Sequence, residues 1–178
     1  MSLSDSSSKE EYVVECDLGV EWDPVTPCPH LVQSEENAFL AFWLRDPDIF
    51  GPSTRPRAEP EFGTVPVPRV GVLEWQGCAG AVLGGPNDEA INGHRLWNKG
   101  LSACLWAGEV HNSSWIAAMD RVNSVHLRHD PDRFSGLHHY VLRFKESTFE
   151  CVAVAFRLKL VATPIEETLL GIVQQLAQ

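Results

Sequence analysis

In the run Gly84-Gly85-Pro86-Asn87-Asp88-Glu89-Ala90-Ile91-Asn92-Gly93-His94, an imidazole follows two carboxylates at spacings of six and five residues. Imidazole titrates near neutral pH, and a nearby carboxylate fixes its tautomer and stabilises its cation. His94 is therefore a candidate proton shuttle, with Asp88 or Glu89 as its partner. The same residues also have a structural reading. Gly84, Gly85 and Pro86 end a strand, Asn87 or Asp88 caps a short helical turn, Glu89 sits near its positive end, and Gly93 stops it. That reading uses every residue except His94, so the decisive question is which carboxylate meets that ring.

The other histidines give no metal set. His126 and His129 carry HxxH spacing, which would share a helical face. However, Asp130-Pro131 follows His129, and a residue before proline avoids helix, so the helix is expected to end near Asn123. His138 and His139 are neighbours at a strand start and point to opposite faces. His30 follows Cys28 in a proline-rich loop without a second ligand pair. No metal and no cofactor is expected. A nucleophile elbow, a phosphate loop and a dinucleotide fingerprint are all absent from the sequence. Arg128, flanked by His126 and His129, is a modest anion-binding feature in an exposed loop. Five widely spaced cysteines (Cys16, Cys28, Cys78, Cys104 and Cys151) without a CxxC read as buried thiols in a reducing compartment. Cys151 reads as inert core.

These side chains need elements to hold them. A chain of 178 residues fits one domain and can bury a core without disulfide or metal. Residues 1–10 are polar and read as a disordered lead with no apolar signal segment, and residues 11–178 read as one domain. The longest apolar run, residues 38–44, is far too short to span a bilayer, so a cytoplasmic protein is expected. A formal charge of −10 argues against nucleic acid and anionic membranes as partners. A small-molecule ligand or a protein partner remains, with no expectation about oligomeric state.

Strands are expected at "EYVVEC", "NAFLAFWLR", "RVGVLEW", "AGAVLGG" and residues 101–110. Residues 46–69 hold six of the twelve prolines and read as an extended surface excursion or a flap. Trp115, Ala118, Met119 and Val122 repeat at helical spacing behind a cap offered by Asn112, Ser113 and Ser114. Residues 138–161 read as a long β-hairpin turning at Glu146-Ser147. Phe144 then faces Phe149, Leu142 faces Cys151, and Arg143 faces Glu150 on the other side. "TPIEETLLGIVQQLA" is a helix with Thr163 as cap, Pro164 in the first turn and Glu166 closing a capping box. Its stripe of Ile165, Leu169, Ile172, Val173 and Leu176 covers a sheet. The class is α+β, a mainly antiparallel sheet with a C-terminal hairpin and two or three packed helices.

"GGPNDEAINGH", "EVHNSSWI", "NSVHLRHDP" and "HHYVLRFKESTFEC" resemble the ordered blocks of a family of small uncharacterised bacterial proteins, over residues 79–153. Where many of its members carry His-Asp before STFEC, this chain has Lys145-Glu146. The resemblance implies no reaction. It implies that Asn87, Asp88, Glu89, His94, Asn112, Trp115, His139 and Glu150 belong to motif blocks that surround one cleft. The leading expectation is a cytoplasmic domain binding a small polar ligand near residues 84–94. Asp88, Glu89 and His94 are its acid/base residues, and Asn87, Asn112, Trp115, His139 and Glu150 are its ligand-binding residues. The alternative is a non-catalytic immunity-like or regulatory module that binds a protein.

Overall fold

Alternating runs and turn residues fold into two antiparallel sheets packed face to face. The computed structural model describes residues 9–46 and 69–177. Most of the expected N-terminal lead and nearly all of the proline-rich 46–69 segment lie outside the described residues.

One sheet has five strands: β1 (Tyr12–Glu15), β6 (Ala107–His111), β7 (His138–Arg143), β8 (Thr148–Ala153) and β5 (Gly80–Gly84), in the order β1-β6-β7-β8-β5. The other has β2 (His30–Gln33), β3 (Asn37–Trp43), β4 (Val70–Gln76) and β9 (Ala155–Val161), in the order β2-β3-β4-β9. Leu40, Phe42 and Trp75 from the smaller sheet meet Leu142 and Phe149 from the larger one, and Trp106 just before β6, in a shared apolar core. The helices are α1 (Ser114–Asn123), the short α2 (Asp132–Ser135) and α3 (Ile165–Leu176). The fold is α+β. Among the described residues no helix is long and apolar enough to cross a membrane.

Each sheet has a second covered face. Ile165 and Ile172 of α3 lie on Phe39, Ala41, Val70 and Val72, so the expected stripe does cover a sheet. Val173 stays largely exposed at its margin. The helix starts differently from expectation. Pro164 has an extended backbone and stands at the cap position, without a side-chain cap. The Thr163 hydroxyl bonds Thr168 instead, at 2.9 Å, and Glu166 closes no capping box. On the larger sheet, three single 3-10 turns (91–93, 97–99 and 101–103) place Ile91, Leu96 and Leu101 over Val13, Val110 and Val141. Residues 101–110 are therefore a turn followed by β6, not one strand. Gly100 permits this layer: its φ is +112°, and a Cβ there would collide with the Val13 carbonyl.

The hairpin keeps its faces but not its expected register. Leu142 sits opposite Phe149, and Tyr140 opposite Cys151. The Phe144 amide donates to the Ser147 carbonyl at 2.8 Å, so Lys145-Glu146 forms the turn. The slip is two residues, which leaves every side chain on its expected side. It does separate Arg143 from Glu150. The Arg143 guanidinium lies 5.3 Å from the Trp97 ring centroid and donates to the Cys104 carbonyl at 3.0 Å.

The expected second hairpin strand also breaks at Val154, where the chain leaves the larger sheet for β9 in the smaller one. Its partner does the same: β4 and β5 belong to different sheets. Gln76 faces Ala155, whereas Gly80 faces Val152. Three residues, 77–79, thus oppose two, 153–154, which is a one-residue bulge. Gly77 takes a φ of +57° there. Strands that change sheets at a bulge make the corner of such a stacked pair.

Candidate functional site

His139 and Glu150 lie diagonally across β7 and β8 on the face turned away from the shared core. His139 Nε2 is 3.0 Å from Glu150 Oε2, and its other ring nitrogen, Nδ1, is 2.8 Å from the Ser113 hydroxyl. Ser113 is the last residue before α1. Its oxygen accepts from the Ile116 amide at 3.2 Å, so it caps that helix as its residue type favours. The residue before it, Asn112, has a φ of +51°, a left-handed turn that passes β6 into the helix. Its side chain donates to the Glu10 carbonyl at 3.0 Å.

The 3-10 layer contributes the rest. His94 Nε2 stands 3.4 Å from Glu150 Oε1. Arg95 bridges two carboxylates, reaching Glu150 Oε2 at 2.6 Å and both oxygens of Glu11 at 3.0 Å. Lys99 donates to Glu11 at 3.1 Å. Glu11 also accepts from the Ser114 amide and hydroxyl, each at 2.9 Å, where a carboxylate favours the start of a helix. Trp115 packs edge-on against His139, with centroids 5.3 Å apart. Gly80 leaves room for that indole: a Cβ there would lie 3.1 Å from Trp115 Cζ2.

The hydrogen bonds assign both tautomers. The Leu96 amide donates to His94 Nδ1 at 3.3 Å, so the proton of neutral His94 is on Nε2, facing Glu150. The ionised Glu150 can only accept, so Nε2 of neutral His139 carries the proton, and Nδ1 accepts from the Ser113 hydroxyl. His139 then donates through Nε2 to Glu150. Burial opposes ionisation of Glu150, but hydrogen bonds from His139 and His94 and the charge of Arg95 outweigh it and hold the carboxyl well below its usual range. Burial likewise opposes Glu11, and Ser114, Lys99 and Arg95 overcome it, lowering its pKa to about 2.

No known protein family, curated protein or solved structure matches the chain.

The expected site residues divide into two groups. His94, Trp115, His139 and Glu150 do converge. The His94 side chain keeps only 9% of its exposure, and His139 is fully buried. Asp88 and Glu89 do not join them. Both are exposed, and the Asp88 amide donates to the Lys145 carbonyl at 2.9 Å. The carboxylate on His94 is Glu150, brought from 56 positions downstream by the sheet. Asn87 behaves as the structural reading expects: its Oδ1 accepts from the Ala90 amide at 3.2 Å. Asn112 serves the backbone strap to Glu10.

Sequence reasoning missed Ser113 as a partner of His139, and missed Glu11, Arg95 and Lys99 altogether. Arg95 and Lys99 stand just beyond the quoted motif run, and two cations beside a histidine were the available signal. Glu11 carried none.

Ser113 also lines an open groove of about 750 Å³, together with His111, Asn112, Ile116, Asp120 and His138. In its lining His138 Nδ1 meets Glu109 at 2.7 Å, and Asp120 meets His129 Nε2 at 2.6 Å. Among the described residues, no group of three His, Cys, Asp or Glu side chains is placed to hold a metal ion.

Chemically, a hydroxyl, two imidazoles and a carboxylate form one hydrogen-bonded chain from the groove wall to the 3-10 layer, in which both imidazoles donate to Glu150. Acyl transfer would need free N–H donors beside Ser113 to hold an oxyanion. The nearest helix-start donor, Ser114, is taken by the Glu11 carboxylate, whose charge would repel that oxyanion.

Proposed function

We propose that this protein binds a small polar ligand and exchanges a proton with it at His94, with Glu150 as the carboxylate partner of that ring and His139 and Ser113 holding Glu150 in place. The observation that carries the reading is the oriented hydrogen-bond chain through His139. A fully buried imidazole is tolerated in a sheet face because both of its nitrogens are engaged, and those bonds fix the ring in one orientation. It joins the nearly buried His94 ring, through Glu150, to the Ser113 hydroxyl, which lines the open groove. His94 remains the proton-exchanging group of the expected centre, with Glu150 in the role sought for Asp88 or Glu89. Three of the four motif blocks of the resemblance contribute to this cluster: His94 comes from one, Ser113 from a second, and His139 and Glu150 share a third.

The test is a thermal-shift screen of small carboxylates, amines and phosphate esters on the wild type, His94→Gln and Glu150→Gln. A compound that stabilises the wild type should lose its effect in His94→Gln, while the ligand-free midpoint of that variant moves by less than about 3 °C. A collapse of the ligand-free variant would make His94 a structural residue and end the proposal.

The second reading, a protein-binding module, draws on one separate observation. Val122, Val125 and Leu127 are 72%, 88% and 102% exposed within six residues at the end of α1. Such a cluster is a contact surface more often than scattered apolar residues are. A stoichiometric partner whose binding is lost in Val125→Asp/Leu127→Asp would favour it over the first reading.

A further inference from the structure

At the corner where both strands change sheets, two thiols face each other. Cys78 lies in the bulge, and Cys151 lies on β8 opposite Ala81. Their sulfurs are 3.8 Å apart, and all five cysteines are free thiols. The pair is packed in the shared core, with Cys78 4% exposed and Cys151 fully buried. Cys78 nevertheless lines a cavity of about 400 Å³, with Gly77, Ala79, Met119, Phe134 and Leu137. A small oxidant in that cavity meets Cys78 first. A disulfide needs its sulfurs at about 2.05 Å, so they must close by under 2 Å. The bulged segment, outside the regular ladder, is the part of the backbone most able to yield.

We propose that Cys78 and Cys151 are a peroxide-reactive pair that closes to a disulfide and locks the corner between the sheets. The Cys78 thiolate attacks one oxygen of a hydroperoxide. The S–O bond forms, the O–O bond breaks, and the leaving oxygen takes a proton as water or alcohol. Cys151 then attacks the Cys78 sulfenic acid. The S–S bond forms, the S–O bond breaks, and hydroxide leaves with the Cys151 proton as water. Two thiols are oxidised by two electrons and one hydroperoxide is reduced. The contact also divides the roles: Cys151 hydrogen-bonded to Cys78 lowers the Cys78 pKa, and the same contact raises that of Cys151. Cys78 is the attacking thiol and Cys151 the resolving one.

Hydrogen peroxide on the full chain tests this, followed by alkylation under denaturing conditions and peptide mass mapping without reductant. The expected result is a peptide linking residues 78 and 151, with free thiols falling from five to three. The link closes a loop of roughly 70 residues, and its thermal midpoint should rise by roughly 5–15 °C and return on reduction. Cys78→Ser and Cys151→Ser should each abolish the linked peptide and the shift. Alkylation at both residues after peroxide would overturn the proposal, as would oxidation confined to exposed Cys28. A linked peptide with an unchanged or lowered midpoint would overturn the claim that the bond locks the corner.

Discussion

Replacing Ser113 by alanine should destabilise the protein by about 2–4 kcal/mol, the sum of two separate losses. The first is the cap of α1, where the hydroxyl accepts from the Ile116 amide; losing a serine cap costs about 1 kcal/mol. The second is the partner of His139 Nδ1. The ring is fully buried, and a buried acceptor left without its donor costs about 1–3 kcal/mol. Glycine at the same position separates the two. It replaces a serine cap at a cost of only a few tenths of a kcal/mol but still orphans the imidazole. Ser113→Gly should therefore retain roughly the larger part of the loss, about 1–3 kcal/mol. Urea unfolding gives both values, provided the slope with denaturant matches the wild type. For a 178-residue chain the alanine variant should melt roughly 5–15 °C lower. A glycine variant as stable as the wild type would refute the reasoning, because the buried ring would then not depend on Ser113.

Two other outcomes test the layer around the Glu150 cluster. Glu11 has a folded pKa of about 2, depressed from its ordinary 4.5, so its stabilisation is complete above pH 4.5 and is lost as pH falls toward 2. Glu150 is shifted in the same direction and adds to the same acid limb. Urea midpoints measured from pH 6 to pH 2.5 should drop below pH 4.5, and Glu11→Gln should start lower and fall less. An identical acid slope in the variant would exclude Glu11 as a contributor. Gly80→Val should cost about 1–3 kcal/mol by forcing Trp115 off the sheet. Gly80→Ala should cost less, since the flexible end of Met119, 3.0 Å from that Cβ, can move aside and Trp115, 3.1 Å away, need give only a few tenths of an ångström.

Local patterns in the chain carried much of this fold. The cap at Ser113, the end of α1 at Asn123 and the two faces of the hairpin follow from residue types a few positions apart. So does the separation of His138, which is exposed, from His139, which is buried. Where the strands go was not written locally. β4 and β5 read as consecutive strands of one sheet, yet a one-residue bulge sends them to different sheets. Pairing also decides the site. Nothing near Asp88 or Glu89 reveals that β8 will deliver Glu150 to His94. Nor does anything near Glu11 reveal that the chain start will lie beside Arg95, 84 residues away. Charged groups become partners through strand order, a property of the whole chain.

The bulged corner has a consequence for how the molecule comes apart. Residues 70–84 run beside residues 148–161 as one bent ribbon, and each end of that ribbon is woven into a different layer. A plane drawn between the layers cuts the ribbon through both of its strands. Neither layer can be excised as a self-sufficient fragment, and probes at Trp75 and Trp106 should report a single shared melting curve.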